Sequence, residues 1–258
     1  MTTLLEIALR SAREAGAALK QAYARPHEIK SKGLRDIATE ADLEAEAISI
    51  GVIRDLCPEA RFVSEESNQQ LTDYGDLPTW YIDPLDGTTN FARGLPGFCV
   101  SVAVAVSGVL QAGAVYDPLT DQLFYGERGG GAFLDGKRLH VSARDTLMES
   151  IVLADWPREQ AAREQSARFL ARLAPKVDAV RSRGSAALGI CAVAAGWAEA
   201  YYQYILGPWD VAAGLLLVQE AGGLVTDLHG RPFALGQPSW LFSNGAVHQA
   251  ILDMNPFA

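Results

Sequence analysis

Residues 80–90, Trp-Tyr-Ile-Asp-Pro-Leu-Asp-Gly-Thr-Thr-Asn, constrain this chain more than any other stretch. Trp80, Tyr81 and Ile82 supply large β-favouring side chains after a turn-prone run ending in Pro78, so a strand is expected. Pro84 lacks a backbone donor and fixes φ, which predicts that the ladder stops there. Gly87 tolerates backbone conformations that other residues avoid, and Thr88 or Thr89 can cap a following helix. The expected unit is therefore a strand, a sharp exit carrying Asp83 and Asp86, and a helix N-terminus. Carboxylates bind hard cations, while a helix N-terminus receives phosphate oxygens on its free N–H groups. Asp, Pro and Gly also populate turns for local reasons alone. That reading explains poorly why two acids follow an apolar strand and precede two hydroxyls.

The rest of the chain supplies a setting for such a unit. Leu5, Ala8, Ala12, Ala15, Leu19 and Ala22 recur at helical spacing, and Pro26 closes that helix. Residues 39–56 read as a second helix, and 61–64 as a short strand delivering Glu65 and Glu66. Residues 98–106, 111–116 and 122–125 read as strands of a largely antiparallel sheet, with Asp135-Gly136 as a hairpin turn. Beyond about residue 146 strands and helices alternate, which predicts an α/β layer. An apolar helix over 211–220 follows Asp210, whose type and position suit an ordinary N-cap. No internal repeat or linker is evident in the 258 residues. One catalytic domain is expected over 1–258, built from two packed halves of about 1–145 and 146–258.

Composition narrows the partners. A formal charge of −9 and the absence of a basic run argue against a protein that coats nucleic acid. The same charge would repel an anionic substrate unless bound cations inverted the local field. Cys57, Cys99 and Cys191 are odd in number and widely spaced, as expected of reduced thiols in the cytoplasm. No window reaches the roughly 18–20 apolar residues that span a bilayer. The expectation is a soluble, cytoplasmic protein with no membrane partner.

Taken together the motifs resemble the inositol monophosphatase family of metal-dependent, lithium-sensitive phosphatases. Asp83-Pro84-Leu85-Asp86-Gly87-Thr88-Thr89-Asn90 matches its central signature. Pro208-Trp209-Asp210-Val211-Ala212-Ala213-Gly214, with Glu220-Ala221-Gly222-Gly223, matches the C-terminal one. Ser64-Glu65-Glu66-Ser67, Lys32-Gly33 to Asp42, and Gly184-Ser185-Ala186-Ala187 give supporting matches. The resemblance runs from about residue 30 to 244 and implies an α/β fold, a layered αβαβα sandwich of the inositol monophosphatase and fructose-1,6-bisphosphatase type.

It also implies roles. Glu65, Asp83, Asp86, Asp210 and the Leu85 carbonyl would be metal ligands, and the all-oxygen set suits two or three Mg²⁺ ions. The histidines, His27, His140, His229 and His248, lie outside every motif, which disfavours zinc. Glu65 and Thr88 would orient and deprotonate the attacking water, with Asp42 holding the Thr88 hydroxyl. Gly87 and Thr88 N–H groups would cradle the phosphate, and Asp86, Ala186 and Gln203 would contact the substrate. Gln203 stands where the family usually has Glu, so it keeps hydrogen bonding but loses the charge-assisted contact. Lys32 is a further candidate near the site. The implied activity is Mg²⁺-dependent hydrolysis of a small phosphate monoester, inositol monophosphate or a related polyol or sugar phosphate, by a homodimer. Alternatives are action on fructose 1,6-bisphosphate, a nucleotide 3′-phosphate or histidinol phosphate. An aspartyl-phosphate mechanism fits less well, because its acids are spaced Asp-x-Asp. A regulatory or scaffolding protein that keeps the fold without turnover is the non-enzyme alternative, disfavoured because no ligand position is missing.

Overall fold

The computed structural model describes residues 2–25, 29–33, 36–67, 70 and 75–257. Helix α1 (Leu4–Tyr23) starts at a Thr3 capping box, in which Thr3 Oγ1 accepts from Glu6 N at 3.1 Å and Glu6 Oε2 accepts from Thr3 N at 2.7 Å. A short antiparallel pair, β1 (Ile29–Gly33) and β2 (Asp36–Thr39), leads into α2 (Glu40–Leu56). Next come β3 (Arg61–Ser64), β4 (Thr79–Asp86), β5 (Cys99–Val106), β6 (Val109–Asp117), β7 (Gln122–Glu127), β8 (Gly131–Leu134) and β9 (Lys137–Arg138). These seven lie side by side in chain order; β3 runs parallel to β4 and every later pair is antiparallel. The five-residue helix α3 (Thr88–Ala92) sits between β4 and β5.

A second sheet is built from β10 (Ile151–Ala154), β11 (Ala179–Arg181), β12 (Ala200–Tyr204), β13 (Leu224–Thr226) and β14 (Ser239–Ser243). Its order is β11-β10-β12-β14-β13, with β10 parallel to both neighbours and the β14 pairings antiparallel. Helices α4 (Gln160–Leu173), α5 (Ala186–Ala194), α6 (Pro208–Glu220) and α7 (His248–Leu252) complete the described elements.

Three apolar clusters define the layers. Ile7, Ala12 and Leu19 of α1 and Ile53 of α2 pack on Trp80, Ile82, Val100 and Val102 of the first sheet. The opposite face of that sheet, through Tyr81, Ala103, Val115 and Phe124, meets α5 and α6 and then Tyr201, Trp240 and Phe242 of the second sheet. Phe169 of α4 and Ile251 of α7 cover the outer face through Tyr202, Ala200 and Leu241. The order is helix, sheet, helix, sheet, helix, and the expected αβαβα sandwich is what the chain forms. Helices α5 and α6 are apolar all round because each is covered by a sheet on both sides.

Three local expectations need correction. Pro84 does not end β4, which continues to Asp86 through an irregularity: Asp83 pairs with Ser101 while Asp86 pairs with Cys99. Three residue steps on β4 thus face two on β5, which is a bulge that tolerates proline. The cap of α3 is Gly87 rather than either threonine; its φ is +95°, and a Cβ there would lie 2.8 Å from the Gly97 carbonyl oxygen. Asp210 is not the N-cap of α6. The helix starts at Pro208 with Gly207 as cap, so Asp210 occupies the third helical position. His27 lies outside the described residues, as does the side chain of Lys32.

Candidate active site

The bulge in β4 does the chemical positioning. In a regular strand residues three apart point to opposite faces, so Asp83 and Asp86 would be separated by the sheet. The extra residue restores the parity. Leu85 turns into the core shared with α1 and α2, and both acids open onto one cavity on the other face. Asp210 enters from the first turn of α6, where its Oδ2 accepts from Gly207 N at 2.6 Å. Ser101 Oγ donates to Trp209 O at 3.2 Å and ties that turn to β5. Asp83, Asp86 and Asp210 each offer an oxygen within 4.8 Å of the others.

Glu65 follows β3 and lines the same cavity of about 660 Å³. The turn that carries it is held by Glu46 of α2, whose Oε1 accepts from Glu66 N and Ser67 N, each at 3.2 Å. Arg158 Nη2 reaches Glu65 Oε1 at 3.4 Å. Neither Glu46 nor Arg158 carries a motif, and sequence reading singled out neither.

The electrostatics call for a cation. Burial, followed by the charges of Glu65, Asp86 and Asp210, pushes the Asp83 carboxyl well above the ordinary range. Burial and then the charges of Glu65 and Asp86 raise Asp210 to about 8. Asp86 is raised to about 6 by burial, against the downward pull of Ser185 Oγ and the Ala187 and Ala186 N–H groups. Acids crowded this closely and this deeply buried cannot all stay charged unless opposite charge enters. The three clustered carboxylates, with Glu65 on the same cavity, are hard oxygen donors of the kind that fits Mg²⁺.

Asp86 is also fixed to the start of α5. Its Oδ2 accepts from Ser185 Oγ at 2.6 Å and Ala187 N at 2.7 Å, and its Oδ1 from Ala186 N at 3.2 Å. Ala186, expected to contact substrate, lines the cavity, and its N–H is engaged by Asp86. Thr88, at the first position of α3, donates its hydroxyl toward Leu85 O at 2.9 Å and Asp42 Oδ1 at 3.2 Å. Asp42 is held in turn by Thr39, whose N and Oγ1 reach its Oδ2 at 2.7 and 2.6 Å. The second sheet contributes the far wall: Asp155, Ser182, Gly184 and Gln203.

The profile of the inositol monophosphatase family matches residues 1–254. The chain belongs to the inositol monophosphatase family. It is 37% identical over 262 residues to inositol monophosphatase 2 of Solanum lycopersicum, covering 98% of each chain. It is 40% identical over 235 residues to Nus factor SuhB of Salmonella typhimurium, covering 89% of this chain and 87% of that one. Among solved structures it superimposes on the Thermotoga maritima IMPase with a TM-score of 0.88 at 33% identity, covering 97% and 95% of the two chains. Membership in this metal-dependent family makes the protein a phosphoric monoester hydrolase. No helix among the described residues is long and apolar enough to cross a membrane.

Proposed function

We propose that this protein hydrolyses a small polyol or sugar phosphate, inositol monophosphate first among them, with Mg²⁺ as its cofactor. The observation that carries this is the convergence of Asp83, Asp86 and Asp210 within 4.8 Å, with Glu65 lining the same cavity. Glu65, Asp83, Asp86, Asp210 and the Leu85 carbonyl would hold two or three ions. When bound, magnesium neutralises the phosphoryl charge and makes water a better nucleophile near neutral pH.

The chain's own groups divide the remaining work. Thr88 and Glu65 orient the attacking water and receive its proton, and Asp42 holds the Thr88 hydroxyl in place through its link to Thr39. Gly87 and Thr88 N–H groups, at the first turn of α3, meet the phosphate oxygens, since such groups lack intrahelical partners. Asp86, Ala186 and Gln203 face the leaving alcohol. The acids and their opposing wall come from both packed halves, so the working unit is one catalytic domain over residues 1–258. A homodimer in the cytoplasm completes the proposal.

Similarity to a protein named Nus factor SuhB supports a second reading, in which a role without turnover accompanies or replaces hydrolysis. Phosphate release decides between them. The metal-stripped protein should be silent, and Mg²⁺ should restore release from inositol and other polyol phosphates ahead of fructose 1,6-bisphosphate, nucleotide 3′-phosphates and histidinol phosphate. No release from any ester at saturating Mg²⁺ would leave only the second reading.

A further inference from the structure

The far wall of the cavity contains three side chains whose hydrogen bonds do not balance. Asp155 directly follows β10 and Gln203 lies on the neighbouring β12, with Ala154 in register with Tyr202, so both open onto the same end of the cavity. Asp155 Oδ1 accepts from Ser182 Oγ at 2.6 Å and Gly184 N at 2.7 Å, which fixes the plane of the carboxyl group. Its Oδ2 is shielded from solvent and faces the Tyr201 hydroxyl without a hydrogen bond of good geometry. Tyr201, fully buried, donates its hydroxyl to Gln203 Oε1 while also facing the Asp155 carboxyl.

A phenol has one proton to give. Between a carboxylate and a neutral amide, the carboxylate is the stronger acceptor by about a factor of two. Leaving a buried carboxylate oxygen unmatched is also the costlier omission. The Gln203 amide has a donor end and an acceptor end of nearly the same shape, so half a turn exchanges them without moving anything else. That turn satisfies all three groups: Tyr201 Oη donates to Asp155 Oδ2 and accepts from Gln203 Nε2.

We propose that Asp155, acting through Tyr201, locks the Gln203 amide with its carbonyl oxygen toward the cavity, where it accepts a hydrogen bond from a hydroxyl of the substrate's leaving group. Asp155 and Tyr201 are positioning residues, and Gln203 is the contact. The selected substrate class is a phosphate monoester whose alcohol carries a free hydroxyl within reach of Gln203. This rests on the phosphatase reading above and adds the device that discriminates among its substrates.

Asp155→Asn tests the relay because Asn keeps an oxygen for Ser182 and Gly184 but turns an N–H toward Tyr201. The phenol must then donate to Gln203, and the amide presents its N–H to the cavity. The KM for an inositol monophosphate should rise about tenfold, the scale of one misdirected hydrogen bond, with kcat held within about twofold. Kinetics on p-nitrophenyl phosphate, which has no such hydroxyl, should change far less. Tyr201→Phe should move the same KM in the same direction by less, because the freed amide can choose either end. Equal losses on both esters would make Asp155 a prop for residues 182–184 and overturn the relay, as would an unchanged KM in both variants. A wild-type protein that releases phosphate from neither ester would overturn the phosphatase reading, and the relay with it.

Discussion

The two walls of one cavity are built on different principles. The first carries Glu65, Asp83, Asp86 and Asp210, set at the end of β3, along the bulged end of β4 and in the first turn of α6, with mutual repulsion that a bound cation or a proton relieves. The second carries Asp155, Ser182, Gly184 and Gln203, and Asp155 is met on Oδ1 by a hydroxyl and a backbone N–H. One wall concentrates repelling charge for chemistry; the other arranges matched hydrogen bonds for recognition. Substitutions on the first should therefore strike turnover, and those on the second should strike the choice of substrate.

The sharpest way to break that division is Asp83→Asn or Asp210→Ala. Either should lower kcat by at least about 10³-fold, the scale of losing a charge stabiliser in a dry site, with the folded state retained by circular dichroism. Near-normal turnover in either would remove the distinction between the walls. Thr88→Ala should cost about 10²-fold in kcat, as loss of a water-orienting group does, while KM stays near its original value. A change confined to KM would move Thr88 to the recognition side.

Stability should separate the walls next. The folded-state carboxyls of Asp210 and Asp86 are raised to about 8 and about 6, so the folded protein holds protons that the unfolded chain releases near pH 4. The stability that these two groups contribute is full below about pH 4 and is lost as pH rises through these folded-state values. Without metal, the thermal midpoint should drop by several degrees between pH 5 and pH 8, on the scale of roughly 2–4 °C per kcal/mol for a chain of this size. Asp210→Asn should flatten that slope, whereas Gln203→Ala, which adds no carboxyl, should leave it nearly unchanged. The smallest effect concerns Gln203→Glu in activity: a gain of a few fold in kcat/KM for a polyol phosphate, from a charge-assisted contact, with p-nitrophenyl phosphate unaffected.

The contrast also explains what could be read from the chain beforehand. The acid wall was legible because Asp83, Leu85, Asp86, Gly87 and Thr88 are contiguous, and Glu65 and Asp210 sit at the edges of recognisable elements. Continuous apolar runs made the two sheets legible as well: β4 is buried on both faces, with Trp80 and Ile82 in one core and Tyr81 in the other. The bulge was not legible, because Pro84 taken alone predicts the end of a strand. Its absence of a donor is tolerated where the ladder is already irregular. The start of α6 was placed three residues late, because Asp at the first turn resembles Asp at the cap until the Gly207 N–H is seen to bond its side chain.

The recognition wall was mostly hidden. Gln203 stood out by its distance from the C-terminal motif, and Tyr201 shares its strand face two residues earlier, but Asp155 carries no pattern and reaches both only through the pairing of β10 with β12. Glu46 was hidden in the same way, inside a helix pattern that gives no hint of its hold on the Glu65 turn. Parallel pairing joins residues about fifty apart, and local periodicity cannot report such contacts.

The central claim is that acids distant in the chain meet to bind magnesium. Isothermal titration of Mg²⁺ into the metal-stripped protein at pH 7.5, without substrate, tests it most directly. Saturable binding by the wild type, abolished in Asp83→Asn and Asp210→Asn but intact in Asp155→Asn, is the predicted result. Equal binding by the wild type and both acid-wall variants would contradict it.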